Sequence, residues 1–566
     1  MINKKFFLIS FLINLYFLGL CIAFGDLRFD AIDDIFMSGI LSGIYGEGYN
    51  VHLTFVNALY GYCLLPLYHL FPKINWYYVG EMASAFISLT AAGYIVISKV
   101  GEKWGAILTA IIVALCASDF YLAVQFTKCA AMLSAAGMLA FIYGLEQKAG
   151  EIPIKKWVAP LIIGVLLLWW GSWMRWDAFL MGMPFFATAL LLQVKKLWNV
   201  KWTVIAGLLI MFAGAYGFQI FDKSLYQAPD YKKYMEFQEP RALLGDGLFY
   251  NQQAVDEDLD EISYSGQALP MLTHWFFYDT DVFAPDSLRI ITDLIAKYKD
   301  EMFLRPQLAN VLGTLPNSAQ YPVFVAWLLL CLALFAFKSP QSLWAWLSLL
   351  IVCAMLAYLL YLQRLVYRVE VGLWLYATFL TIPFLKERFR INKNISIGFV
   401  CAVAMISLYS YAVSGPTVRQ VNSGQIVYVR PEHADTVDYK SLFAFMDSVP
   451  DSTVFIMEMN SYMSMSRQKG PPYLTMPQGS WEQVISFGFW TPYFPDVEKA
   501  IHKRGVTNPM KDVVLDNVFV IDAPSLGTFL EQHYYNKVKV DTVRNFNGMV
   551  VYKYSVVSDS LTEAGK

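Results

Sequence analysis

Charge is scarce in this sequence. Asp, Glu, Lys and Arg make up 16% of the 566 residues, against 57% hydrophobic residues and a mean hydropathy of +0.43, which is too little polar surface for a soluble chain of this length. Basic blocks are also missing. With a formal net charge of −2 and no long Lys/Arg run, nothing calls for nucleic acid as a partner. Cysteine is rare, and Cys21, Cys63, Cys116, Cys129, Cys331, Cys353 and Cys401 all fall in or beside apolar segments. The polar regions therefore hold no residues for a disulfide framework or thiolate metal site, and the cysteines read as small core residues. The chain has no P-loop, Rossmann glycine fingerprint, His-Glu-x-x-His or paired Cys-x-x-Cys, and no internal repeat.

What the chain has instead is apolar runs, at about 5–24, 53–71, 77–97, 104–118, 122–145, 158–172, 177–194, 203–221, 321–337, 342–362, 371–385 and 395–413. Runs near twenty residues predict a polytopic α-helical membrane protein. Trp and Tyr near their ends fit interfacial belts. The run after Lys4-Lys5 is long for a signal peptide and lacks Ala-x-Ala-like processing residues, so an uncleaved first span is expected. Two polar regions interrupt the pattern, 222–320 and the tail 414–566. The first has an acidic run, Asp256–Glu261, that reads as a solvated face, and helical periodicity over 286–302. The tail alternates helical stretches (439–447, 524–532) with strand-like ones (453–457, 513–515, 518–521, 538–543, 548–554), predicting a small external α/β domain.

Positively charged loops belong in the cytoplasm. Lys4-Lys5, Lys155-Lys156, Lys195-Lys196-Lys201 and the cluster at 386–393 therefore place the loop 25–52, the region 222–320 and the tail outside. Eight full crossings from an internal start would leave 222–320 inside, so one early segment must fail to span. The short run 104–118, ending at Ser118-Asp119, is the expected exception, leaving about eleven spans.

The loop after the first span carries Arg28-Phe29-Asp30-Ala31-Ile32-Asp33-Asp34-Ile35-Phe36-Met37-Ser38-Gly39. Acids so close to a membrane are costly unless they face water or a site. An acidic pair opening an amphipathic helix at this place, with Gly43 beyond it and Asn50–Gly61 leading into the next span, resembles the GT-C superfamily of membrane glycosyltransferases. Its members include the protein O-mannosyltransferases and the lipid A aminoarabinose transferases. The motif likeness covers 26–61 and the architectural likeness 1–413. His52 stands where many members have a lysine before two prolines.

The resemblance implies transfer of a sugar from a polyprenyl-phosphate donor to an extracytoplasmic glycan, lipid or protein acceptor. Asp33 would be the general base, with Asp34 and Asp30 as orienting groups. Asp33 and Asp34 could hold Mg²⁺ or Mn²⁺ through oxygen ligands, metal dependence varying within the superfamily. One of these acids could equally cap the helix. The leaving phosphate needs cations, and Arg175, Arg364 and Arg368 lie at the expected external side of spans, where arginine's planar fork suits phosphate. Arg175–Asp177 and Arg368–Glu370 bridges, or binding to lipid headgroups, are the alternatives. Asp119 is either a second functional acid or an interfacial cap. Lys128 is either a phosphate ligand or a snorkelling side chain, and His52 either binds acceptor or is simply hydrogen-bonded. Two other classes remain open: a lipid-linked sugar flippase, which needs ionisable groups within spans, with Glu81 and Gln125 the few polar candidates; and a non-catalytic envelope assembly protein.

Overall fold

Asn3 opens the first helix, its side chain accepting from the Lys5 and Phe6 amides, and the apolar run carries it unbroken over Lys4–Phe24. The computed structural model describes residues 3–247, 268–297, 313–316, 318, 321–336, 339, 341–362, 365–385, 418–422, 425–429 and 436–557. Arg364, the run 256–261, the basic cluster 386–393 and the segment 395–413 lie outside the described residues. The chain divides into two compact units. One comprises Met1–Asp34, Val51–Lys223 and Arg305–Glu432; the other comprises Ile35–Asn50, Ser224–Leu304 and His433–Lys566.

The first unit holds the spans. Among the described residues, seven helices are long and apolar enough to cross a membrane: Lys4–Phe24, Trp76–Val100, Glu102–Leu122, Phe126–Ala149, Ile154–Met174, Val194–Leu225 and Leu343–Tyr361. The protein is a multi-pass membrane protein. Phe126–Ala149 is wholly enclosed, whereas Val194–Leu225 shows most of its apolar surface, including Trp202, Leu209 and Ile210, as a lipid-facing helix does.

Two expectations are corrected. The segment expected to fail as a span is a full 21 residues, Glu102–Leu122, because its helix continues past Ala117 through a π turn, Ser118–Leu122. The run 53–71 instead yields only Ala58–Leu70, at 1.5 Å per residue about 20 Å against a hydrocarbon core of about 30 Å. Its start is delayed by a turn in which Thr54 adopts φ 61° and by Asn57, whose side chain caps the Leu59 amide and donates to the Phe218 carbonyl.

Small residues set the closest helix approach. Along Phe126–Ala149 and Ile154–Met174, a Cβ on Gly164 would stand 2.7 Å from the Phe141 nitrogen, and one on Gly171 would stand 2.3 Å from the Ser134 hydroxyl. Such close backbone approach is how membrane helices gain packing without a hydrophobic drive between them. Polar side chains add fixed points: Asn14 donates to the Phe86 carbonyl and accepts from the Tyr121 hydroxyl. Buried Glu146 binds both Lys99 and Lys196.

The second unit contains the α/β fold expected of the tail. Its sheet runs in the order Val484–Ser486, Val454–Met457, Val518–Ile521, Met549–Val556, Val538–Phe546, with the first three parallel and the last two antiparallel. Val454–Met457 is buried along its length, as a central strand covered on both faces should be. The terminal hairpin closes on Asn547-Gly548, both with positive φ, the two-residue turn that matches strand twist. Val513-Val514-Leu515 is not a strand. Asp512 gathers the Thr507 and Asn508 amides and the segment closes into a 3-10 turn, Lys511–Val514. The helix expected at 286–302 is Pro285–Lys297, with Leu288, Ile291 and Leu294 buried.

Candidate active site

Backbone pairing brings the acidic loop to one place. Arg28–Phe29 pairs in parallel with Ala123–Val124, and the Asp30 amide donates to the Val124 carbonyl at 2.9 Å. The helix Ile32–Ser42 then opens with Asp33 and Asp34 in its first turn, where carboxylates complement the helix dipole. Asp34 is fully buried. Its Oδ1 accepts from the Tyr77 hydroxyl at 3.1 Å and from the Phe126 amide at 3.2 Å. Burial holds its carboxyl above the ordinary carboxylate range, against the pull of those two donors. Asp33, the neighbouring acid, is also buried.

Asp30 takes a different partner. Lys128 lies at the start of Phe126–Ala149, with Gln125 capping the helix through the Thr127 and Lys128 amides. The lysine Nζ stands 3.0 Å from Asp30 Oδ2 and donates to the carbonyls of Asp119 and Ala123 at 2.9 and 2.6 Å. All three of its N–H groups are taken and its side chain is 1% exposed, so it neither snorkels nor offers a free donor. Asp119, on the π turn, accepts from the Tyr367 hydroxyl at 2.6 Å, while its Oδ2 is buried without a partner among the described residues.

Two arginines border this group. Arg175 pairs with Asp177 at 3.5 Å and lies 5.5 and 5.6 Å from the ring centroids of Phe55 and Phe126, within cation–π range. Its side chain is 25% exposed, so a ligand can reach it. Arg368 follows Tyr367 at the start of Tyr367–Phe379 and is half-buried. The bridge considered for it is absent, since Glu370 binds the hydroxyls of Ser318 and Tyr321 instead. His52 lies just before the 53–56 turn that places Phe55 beside Arg175.

Segment 123–128 is thus where most of the site residues picked out from sequence meet. It binds Asp30 through Val124 and Lys128, and Asp34 through the Phe126 amide. Arg175 stands over the Phe126 ring, and Lys128 reaches the Asp119 carbonyl. Tyr77 and Tyr367 were missed, because an aromatic at a span end reads as an interfacial anchor and nothing local says which acid it serves. The three loop acids do not face one point: Asp30 turns to Lys128 and Asp34 to Tyr77 and Phe126. Among the described residues no group of three or more His, Cys, Asp or Glu is placed to hold a metal ion.

No protein-family model matches the chain, and no curated protein matches it in sequence. In structure the chain is similar to ArnT from Cupriavidus metallidurans. The apo crystal structure aligns over 95% of this chain and 97% of that one with a TM-score of 0.43. The structure bound to undecaprenyl phosphate aligns over 98% and 99% with a TM-score of 0.39, and both are 11% identical.

Proposed function

We propose that the protein is a membrane glycosyltransferase that moves a sugar from a polyprenyl-phosphate donor to an acceptor on the outer side of the membrane. The observation that carries this reading is the convergence on segment 123–128 of an acidic helix start and a reachable arginine. Asp33 accepts the proton of the acceptor hydroxyl as its oxygen attacks the anomeric carbon. The bond from that carbon to the phosphate oxygen breaks, and the phosphate leaves with the electron pair. Arg175 and Arg368, with Arg364 near in sequence, meet the developing phosphate charge through bidentate donors. Lys128 holds Asp30 and the Asp119 backbone in place.

The orientation is read from the spans together with the positive-inside rule. With Ala58–Leu70 outside the set of crossings and the shorter apolar stretch Trp176–Leu192 within it, an internal Lys4-Lys5 puts the acidic turn, Asp119, Arg175 and the region after Leu225 on the external side. It puts Lys103, Lys155 and Lys195-Lys196 in the cytoplasm, as the positive-inside rule asks. The C-terminal unit is then extracytoplasmic. Lipid-facing helices such as Val194–Leu225 contact membrane lipids.

The test is to supply extracted lipid-linked sugars to membranes with and without the protein and follow products by mass spectrometry. A glycosylated product and free lipid phosphate that depend on the protein support the reading. Movement of labelled lipid-linked sugar across the bilayer with no new glycoside would show a flippase instead.

A further inference from the structure

Glu81 lies fully buried five residues into Trp76–Val100, an expensive place for an acid unless something answers it. Among the described residues, no N–H or hydroxyl group reaches either Glu81 carboxyl oxygen or Asp34 Oδ2. Tyr77 and Glu81 lie one turn apart on one helix and Phe126 and Cys129 one turn apart on another, and contacts from Tyr77, Phe126 and Cys129 bring Asp34 and Glu81 side by side. Two ionised carboxylates are acceptors only and cannot bond each other, so the unanswered oxygens are satisfied only if the pair holds a proton. Among the described residues, nearby groups do not supply an alternative partner; the Tyr78 hydroxyl, on the same helix, forms no hydrogen bond. Tyr77 gives its hydroxyl to Asp34 Oδ1, Tyr60 donates to the Tyr77 carbonyl, Cys129 donates to the Glu81 carbonyl, and Lys128 is held by Asp30 and two carbonyls. Asp33 adds a further acid on the same turn.

We propose that Glu81 is a positioning residue for the acidic turn: through a proton shared with Asp34 it fixes the first turn of the helix carrying Asp33 against the span Trp76–Val100. Asp34 is then held on both oxygens, Oδ1 by Tyr77 and the Phe126 amide and Oδ2 by Glu81. The adjoining Asp33 inherits that orientation. This role rests on the transferase reading, whereas the shared proton does not.

The experiment uses the full-length protein in detergent or nanodiscs and has two readouts. Infrared difference spectra on exchange into D₂O report the carbonyl stretch of a protonated carboxyl group. The wild type is expected to show such a band, and Glu81→Gln and Asp34→Asn are expected to lose it, while Glu146→Gln, a buried acid paired to lysines, keeps it. Absence of the band from the wild type, or its survival in Glu81→Gln, overturns the shared proton whether or not transfer is observed. In the transfer assay, Glu81→Ala leaves Asp34 Oδ2 unheld and should lower kcat about 10- to 100-fold at unchanged donor KM, as expected when a catalytic group is misplaced. Glu81→Gln, whose amide can still donate to Asp34, should rescue most of it. Equal damage from both substitutions, or none from Glu81→Ala in a protein that still folds, overturns the positioning role. A wild type that shows the band but transfers no sugar defeats the transferase reading and the positioning role with it, leaving the shared proton established.

Discussion

Replacing Lys128 with Met removes one ammonium group and leaves three acceptors without it: Asp30 Oδ2 and the carbonyls of Asp119 and Ala123. Breaking a buried ion pair from one side costs about 3–5 kcal/mol. The Asp30 side chain keeps 19% exposure, so water reaches the stranded carboxylate and the cost should fall at the low end, about 3 kcal/mol. Asp30→Asn leaves the lysine on both carbonyls and still presents an amide oxygen, so its loss should be about 1 kcal/mol. The double variant should be more stable than Lys128→Met alone, because a neutral Asn no longer strands a charge. Unfolding of the purified full-length protein in detergent, read as a double-mutant cycle, measures this. If the two costs add to within about 0.5 kcal/mol, Lys128 does not hold the loop through Asp30 and the account of segment 123–128 fails.

Other substitutions probe separate links. Tyr367→Phe removes the only donor on the Asp119 carboxyl among the described residues, and should cost about 1–3 kcal/mol in the same unfolding measurement. Gly164→Ala drives a Cβ to within 2.7 Å of the Phe141 nitrogen and 2.8 Å of the Gly137 carbonyl oxygen; backbone cannot step aside as a side chain can, so a loss of about 1–3 kcal/mol is expected from thermal unfolding. Burial raises the Asp496 carboxyl above its usual range, despite the Asn50 amide that donates to it at 2.8 Å. The folded protein therefore binds this proton more readily than the unfolded chain, and stability should fall as pH rises from the ordinary carboxylate range through the raised value. Asp496→Asn should flatten that part of the pH–stability curve, and an unchanged slope would show that another group produces it.

Hydropathy made the membrane class legible, and strand and helix periodicity made most of the C-terminal fold legible, because both depend on local composition. The failures came where a tertiary contact decides. Residues 53–57 look as apolar as a span entrance, yet Asn57 reaching the Phe218 carbonyl and Asp222 accepting from the Ala58 amide start the helix late. Segment 104–118 looks short because Asp119 reads as an end, whereas the π turn carries the helix past it. At the site, sequence picked out Asp30, Asp33, Asp34, Asp119, Lys128 and Arg175 from their place beside spans. It could not say which were already partnered. Lys128 is saturated and Asp34 turned inward, and both facts depend on residues about forty to a hundred positions away or on backbone carbonyls that no pattern marks. Glu81 was visible only as a polar intruder in an apolar run.

The most direct test of the central claim is the transfer rate of Asp33→Asn against wild type, in membranes carrying equal amounts of folded protein and supplied with lipid-linked sugar donor. Loss of a general base predicts a fall of about 100-fold or more in kcat with donor binding retained. Transfer at the wild-type rate would remove Asp33 from the chemistry and contradict the proposed mechanism.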